Sequence, residues 1–128
     1  MAISVVQLGT PRAPDEGLRI GSVRRPPRGI PKAEFGKRNY YDIWLPILSP
    51  SPELLAKGKL ADSDSDWNKF ASAFRRELVG GEADKILDLL VALSSATNFA
   101  IGCYCNDENR CHRSILRQLL NERGASLR

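Results

Sequence analysis

The sequence contains few of the residues that build disulfide scaffolds or membrane spans. Its 128 residues include three cysteines, one histidine and one methionine. Three cysteines are too few for a disulfide-rich scaffold, and their odd number agrees with a reducing compartment. No apolar run approaches the roughly 20 residues that a membrane helix needs, and the short apolar start lacks the basic leader of a signal peptide. We therefore expect a cytoplasmic protein that does not enter a membrane.

The composition and the apolar patterns predict one small α/β domain. About 42% of the residues are apolar and 27% are charged, which is typical of a globular chain. The strand signals cover residues 3–8, 18–23 and 99–103. The helix signals cover residues 51–58, 67–80, 82–95 and 110–124. Since helices separate the strands, we predict a single layered domain over residues 1–128, with a short, mostly parallel sheet flanked by helices.

The aromatic segment from Tyr40 to Pro46 has a weaker signal. Its aromatic and β-branched residues favour an extended backbone, but the prolines at its end and just after it exclude a long central strand. We predict an extended segment or a short edge strand that packs the rings of Tyr41 and Trp44 into the core.

Most of the net positive charge lies in one segment rich in proline and glycine. The chain carries a net charge of +4, and between Arg19 and Arg38 seven basic residues face one acidic residue, Glu34. We read the part from Arg24 to Arg38 as a basic loop. Such a loop is typical of a surface that faces an anion, although a loop that is merely solvated has the same composition.

All three cysteines and the histidine fall within ten positions, where a buried strand is predicted to end and the last helix to begin. Ligands of open α/β sheets bind beyond the carboxyl ends of the strands, and a helix N-terminus favours an anion. A thiol in the first helical turn has a stabilised thiolate, which makes Cys111 the best candidate for a lowered pKa. Helical geometry places His112 in the middle of the apolar face, pointing toward the sheet, either as a core histidine or as a general base.

The residues of this junction leave four chemistries open. A metal site would use Cys103, Cys105, Cys111 and His112, although helical geometry would turn the last two side chains about 100° apart. A nucleophilic thiol would act on an anion held by Arg113 and backbone amides. A redox pair would join Cys105 to Cys111 across the turn. The fourth possibility is purely structural, with small buried thiols that pack like alanine.

Three segments together resemble a known family. Their sequences are Arg-x-Pro-Pro-Arg-Gly at 24–29, Tyr-Asp-Ile-Trp-Leu-Pro at 41–46, and Cys103 followed by Cys-His-Arg at 111–113. The chain resembles the family numbered 488 among domains of unknown function, whose relatives include the YeaO-like proteins. The resemblance covers about residues 18–124 and implies a compact α/β fold. Family members commonly have Cys-x-Glu before the turn, where this chain has Cys105 in place of the glutamate. The resemblance also implies that the basic loop and the Cys-His-Arg turn face one pocket.

We predict an anion pocket for a phosphate group or a nucleotide at the junction, with cysteine-based chemistry. The predicted anion-binding residues are Arg113, Arg24, Arg28 and Cys103. The predicted catalytic residues are Cys111, His112 and Asp42, the last as an acid or base partner that has the alternative of capping a turn. The expected partner is a phosphorylated small molecule, a nucleotide or nucleic acid, with no cofactor and no metal. The alternative is a non-enzymatic module that binds nucleic acid or a protein through the Arg24–Arg38 loop, and a third reading is an architectural junction without a ligand.

Overall fold

The computed structural model describes all 128 residues and contains a four-stranded parallel sheet. The strands are β1 (Ile3–Gln7), β2 (Leu18–Gly21), β3 (Ile43–Trp44) and β4 (Phe99–Cys103). Their order across the sheet is β1-β4-β2-β3, so the last strand in the chain lies between the first two. Every pair of neighbours is parallel. This confirms the predicted α/β class, with a sheet that is entirely rather than mostly parallel.

Four helices accompany the sheet, close to the four that the apolar patterns predict. They are α1 (Pro52–Leu60), α2 (Asp64–Leu78), α3 (Glu82–Ser94) and α4 (His112–Glu122). The hydroxyls of Ser51 and Ser63 accept hydrogen bonds from the first turns of α1 and α2, which fixes where these helices begin. Short 3-10 helices cover Lys32–Glu34, Pro46–Leu48 and Glu108–Arg110. None of the helices combines the length and the apolar character that a membrane crossing requires.

The central strand β4 explains why its sequence is a continuous apolar run. All five of its residues are buried, because β1 and β2 flank it and helices cover the sheet. The main core holds 16 buried residues from the sheet and the four helices. A second, smaller cluster lies at the carboxyl end of the sheet and contains both Cys103 and Cys111. The candidate site is therefore built on the best-packed strand of the domain.

The prediction for the aromatic segment is half correct. Tyr41 is buried, as expected, but Trp44 is 41% exposed. The two residues of β3 pair only with β2, at the edge of the sheet, and both are exposed. The Trp44 indole N–H donates to the Val23 carbonyl at 2.7 Å, so the ring lies across the edge of the sheet and not in the core.

Candidate functional site

The last strand and the last helix place two cysteines face to face. Cys103 is the final residue of β4, and Cys111 is the residue that caps the N-terminus of α4. Their sulfur atoms are in contact, although their Cα atoms are 7.7 Å apart. Each cysteine is only 1% exposed, in a cluster completed by Leu8, Val23 and Tyr41. The sequence offers Cys105 and Cys111 as a possible redox pair, but the structure places the Cys111 sulfur against Cys103 and leaves Cys105 exposed and unpaired.

Helix α4 begins at His112, so Cys111 is the N-cap residue and does not lie in the first turn. Cys111 has φ −122° and ψ 145°, an extended conformation, and the helical residues start at His112. The expected divergence of about 100° between these two side chains therefore does not apply, since it holds only for two helical residues. Both side chains instead turn toward the same interior.

His112 is buried against the end of β2, which confirms that it points toward the sheet. Its Nε2 atom is hydrogen-bonded to the Ser22 carbonyl. A carbonyl only accepts, so Nε2 carries the proton and Nδ1 is left with a free lone pair. Nδ1 lies 3.9 Å from the Cys111 sulfur. Burial lowers the pKa of His112 to about 4, which keeps the ring neutral near pH 7 and leaves Nδ1 as a base beside a thiol.

Arg113 is the most unusual group in the cluster. Its side chain is 4% exposed, yet it forms no ion pair with any carboxylate. One nitrogen, Nη1, donates to the Val6 carbonyl at 3.1 Å and approaches the Cys103 sulfur at 3.8 Å. The Nε–H group is buried without any acceptor. Burial lowers the pKa of Arg113, although the charge of the Glu108 carboxylate acts in the opposite direction. The guanidinium remains charged, and its hydrogen-bond contacts are a neutral carbonyl and a sulfur.

The first turn of α4 adds backbone donors at the same place. The amides of His112 and Arg113 lie at the N-terminus of this 11-residue helix and donate no backbone hydrogen bond. Unpaired amides and the positive end of the helix dipole both favour a negative charge. The donors of the junction are thus a buried guanidinium and a helix N-terminus, and the sulfurs of Cys103 and Cys111 lie beside them.

The structure brings only part of the basic loop to the junction. The Arg24 guanidinium donates to the carbonyls of Ser49 and Pro50. Burial is the largest cause of the lowered pKa of His112, and the positive charges of Arg113 and Arg24 lower it further. The Tyr104 hydroxyl donates to the Arg25 carbonyl at 2.8 Å, which ties the loop to the segment after β4. Arg28 is exposed and does not join the cluster.

Two loop residues cover the cysteines. Phe35 and Tyr40 pack against the smaller apolar cluster from the loop side, and Tyr40 also makes an edge contact with the Tyr104 ring, with centroids 6.3 Å apart. Two surface hollows lie elsewhere, one along α2 and one between α1 and α2. The cluster is closed in this conformation, because both of its cysteines are only 1% exposed.

Asp42 is not brought together with the cysteines. Its carboxylate pairs with Arg12 at 2.8 Å and accepts the backbone N–H of Arg19 at 2.8 Å. Burial raises the pKa of Asp42, but these hydrogen bonds outweigh it and hold the pKa below its ordinary value. The carboxylate thus fastens β3 to β2, which is closer to the structural alternative predicted for it than to an acid or base role.

Three ligand atoms of the kind that bind metals meet in the cluster. The sulfurs of Cys103 and Cys111 and a ring nitrogen of His112 all lie within 4.8 Å of one another. Cys105 does not belong to this group. The structure therefore offers three of the four metal ligands that the sequence analysis considers. Arg113, which the sequence predicts to bind the anion, is buried, as charged residues rarely are.

The comparisons with known proteins identify a family and no individual relative. The family model DUF488-N3a, described as the active DUF488-N3 subclade, matches residues 3–124. This range includes the basic loop, the aromatic segment and the whole junction. No curated protein and no solved structure matches the chain. The resemblance that the sequence motifs carry is thereby confirmed.

Proposed function

The chain belongs to the DUF488 family, and from that premise we propose that it performs cysteine-based chemistry on an anionic, phosphate-bearing substrate at the junction of β4 and α4. The observation that carries the proposal is Arg113, a buried guanidinium without an acidic partner and with an unpaired Nε–H. The description of the matching subclade as active agrees with an enzymatic role.

The charge of Arg113 supports an anion at this position. An ionised side chain removed from water is costly unless it is paired, and an orphaned N–H group adds to that cost. A phosphate oxygen that meets Nε–H and the amides at the start of α4 would satisfy both groups at once. We therefore assign the phosphate of the substrate to Arg113 and the helix N-terminus.

Cys111 and His112 supply the reactive pair. The positive charge of Arg113 and the N-terminus of α4 stabilise the Cys111 thiolate, the unprotonated Nδ1 of His112 takes the thiol proton, and the thiolate attacks the electrophilic centre of the substrate. A bond from sulfur to that centre forms as the bond to the leaving group breaks. The proton on Nδ1 then passes to the leaving group, as in general acid–base catalysis. Water next attacks the sulfur-bound intermediate, the bond to sulfur breaks, and the water proton restores the Cys111 thiol. Cys103 lines the pocket and receives the N–H of Arg113.

Substrate reaches the sulfur only when the cover of the cluster moves, because Cys111 is 1% exposed. The cover is formed by Phe35 and Tyr40 of the loop side, and the Tyr104–Arg25 hydrogen bond helps to hold it. The exposed arginines Arg25 and Arg28 lie on this loop, where they would attract a phosphate group before the loop opens. Arg24 holds the base of the loop through its carbonyl contacts.

We expect Arg113→Lys to bind phosphate probes roughly 10- to 100-fold more weakly than the wild type, since lysine cannot offer the planar fork of donors. The measurement is isothermal titration calorimetry with inorganic phosphate and a panel of nucleoside 5′-monophosphates. Arg110→Lys is the matched control, because Arg110 lies three residues away on the surface and pairs with Asp64. Equal affinities of wild type and Arg113→Lys would exclude Arg113 as the anion receptor.

The exposed charges of the basic loop favour one second candidate, a module that binds nucleic acid. Arg25, Arg28 and Lys32 are exposed and form no ion pair with a carboxylate. If this module exists, the triple alanine variant of these residues lowers the salt slope of nucleic-acid binding by about 2–3. Fluorescence anisotropy with a labelled oligonucleotide at several salt concentrations measures the slope. A variant with alanine at Lys57, Lys59 and Lys69, which removes the same charge from α1 and α2, should leave the slope unchanged.

A further inference from the structure

We propose that Cys103, Cys111 and His112 form a binding site for one Zn²⁺ ion, with a fourth position left for an exogenous ligand. The proposal goes beyond the cysteine chemistry above and does not depend on it, because it needs only the three ligand atoms. It also has a consequence for that chemistry. A zinc-bound Cys111 is not free to attack a substrate, so the zinc-loaded protein would be an inhibited form.

The spacing of the three atoms is suitable for a tetrahedral ion. They lie within 4.8 Å of one another, and the Cys111 sulfur is 3.9 Å from Nδ1 of His112. Ligands around zinc lie roughly 3.5–3.8 Å apart, given Zn–S bonds of about 2.3 Å and Zn–N bonds of about 2.0–2.1 Å. The nitrogen is thus already close to the distance from Cys111 that a shared ion requires.

The two sulfurs have room to separate around an ion. The Cα atoms of Cys103 and Cys111 are 7.7 Å apart, beyond the roughly 4.4–6.8 Å of disulfide-linked cysteines. Because the backbones are this far apart, small side-chain rotations move the sulfurs from mutual contact to the separation of two zinc ligands. The backbones themselves are fixed by a fully buried strand and by the start of α4.

The surroundings of the ligands are those that metal sites use. The Nε2–H of His112 donates to the Ser22 carbonyl, and a ligating histidine usually gives its second N–H to such an acceptor, which fixes the ring and the free lone pair. Arg113 directs Nη1 at the Cys103 sulfur from 3.8 Å, where it stabilises a thiolate. The charges of two thiolates, a neutral imidazole and Zn²⁺ sum to zero, so the bound ion adds no charge to the interior beyond that of Arg113.

Zinc is the ion that this donor set favours. Thiolate sulfur is soft and selects zinc over magnesium or calcium, which prefer oxygen. Cys105 is exposed and outside the group, so the chain offers three ligands and not the four of a closed structural site. Three protein ligands with an open fourth position are the pattern of zinc sites that accept water or an exogenous anion.

The test is a zinc titration of the reduced, chelator-stripped full-length protein against a chromophoric competitor. We expect one equivalent of Zn²⁺ to bind, and Co²⁺ in its place to give sulfur-to-metal charge-transfer absorption. Cys103→Ser, Cys111→Ser and His112→Gln should each weaken binding by about 100-fold or more, since each removes a ligand outright, whereas loss of an outer-shell partner already costs 10- to 100-fold. Cys105→Ser is the control and should bind like the wild type.

If a ligand variant does not fold, an alkylation experiment on the wild type still tests the zinc site. Because Cys103 and Cys111 are buried even without metal, the alkylation rate of each cysteine is compared in the zinc-free and the zinc-loaded protein by peptide mass spectrometry. Zinc should slow the alkylation of Cys103 and Cys111 and leave that of Cys105 unchanged. Loss of zinc binding in Cys105→Ser, absence of stoichiometric binding, or equal protection of all three cysteines would overturn the proposal. None of these results involves phosphate, so a failed zinc site and a failed anion site are distinguished by the separate phosphate titration.

Discussion

Replacement of Cys111 by serine is expected to lower turnover of the phosphate-bearing substrate by at least about 10³-fold, as loss of a nucleophile does in other enzymes. A serine hydroxyl holds its proton far more tightly than a thiol, and the single neutral histidine beside it is too weak a base to compensate. The measurement is kcat for the nucleoside 5′-monophosphate that binds most tightly in calorimetry, followed by chromatography of the nucleotide. Intact-mass spectrometry should detect an adduct on the wild type that is missing from the variant.

Cys105→Ser is the matched control for this experiment. Cys105 lies two residues beyond Cys103 but is exposed and unpaired, so its replacement should leave both kcat and the adduct unchanged. A Cys111→Ser protein that retains turnover would show that the thiol is architectural. In that case the variant would differ from the wild type in stability and in nothing else.

The largest effect on stability is expected at the ion pair of Glu16 with Arg19. Arg19 is 1% exposed and Glu16 3%, and their closest atoms are 2.6 Å apart. The remaining guanidinium donors reach the carbonyls of Thr10, Pro11 and Asn39. Glu16→Gln leaves a buried charge without its counter-charge, which costs about 3–5 kcal/mol of unfolding free energy. Urea denaturation followed by circular dichroism measures the loss.

The neighbouring residue provides the comparison. Asp15 pairs with Arg128 on the surface, where the carboxylate is 66% exposed, so Asp15→Asn should leave the denaturation midpoint close to that of the wild type. If the two variants lost the same stability, the burial of Arg19 would not be the source of the effect. The Arg19 pair matters for the site because Arg19 lies in β2, and Ser22, whose carbonyl orients His112, directly follows that strand.

The sequence predicts the strands and helices well where an element is buried on one face only or on all sides. The continuous apolar run at 99–103 favours a strand covered on both faces, and in the structure it is the second strand in the sheet order. The stripe of Trp67, Phe70 and Phe74 likewise marks a helix with one buried face, and it lies in α2. The prolines predict the edge strand correctly, but the sequence does not show which of its rings is covered, and the Trp44 ring lies at the exposed margin of β2.

The charges were harder to place than the apolar residues. Arg19 and Arg24 fall in the basic segment by position, but one is buried in an ion pair and the other donates to backbone carbonyls. The number of arginines in a segment does not show which carboxylates or carbonyls they bind, so the sequence alone predicts that all of them lie on the surface. The junction was found because its cysteines and histidine are rare residues in one short stretch. The pairing of Cys103 with Cys111 needed the structure, since it depends on the extended backbone of the capping residue.

The most direct measurement is a ¹⁵N NMR titration of the arginine Nε–H groups with inorganic phosphate and a nucleoside 5′-monophosphate. The Arg113 Nε–H has no acceptor in the cluster, so an anion bound there gives it its first hydrogen bond. We predict a saturable shift of the Arg113 Nε–H resonance, with small changes at the surface arginines. A flat Arg113 resonance, or shifts of equal size at every arginine, would contradict the anion site.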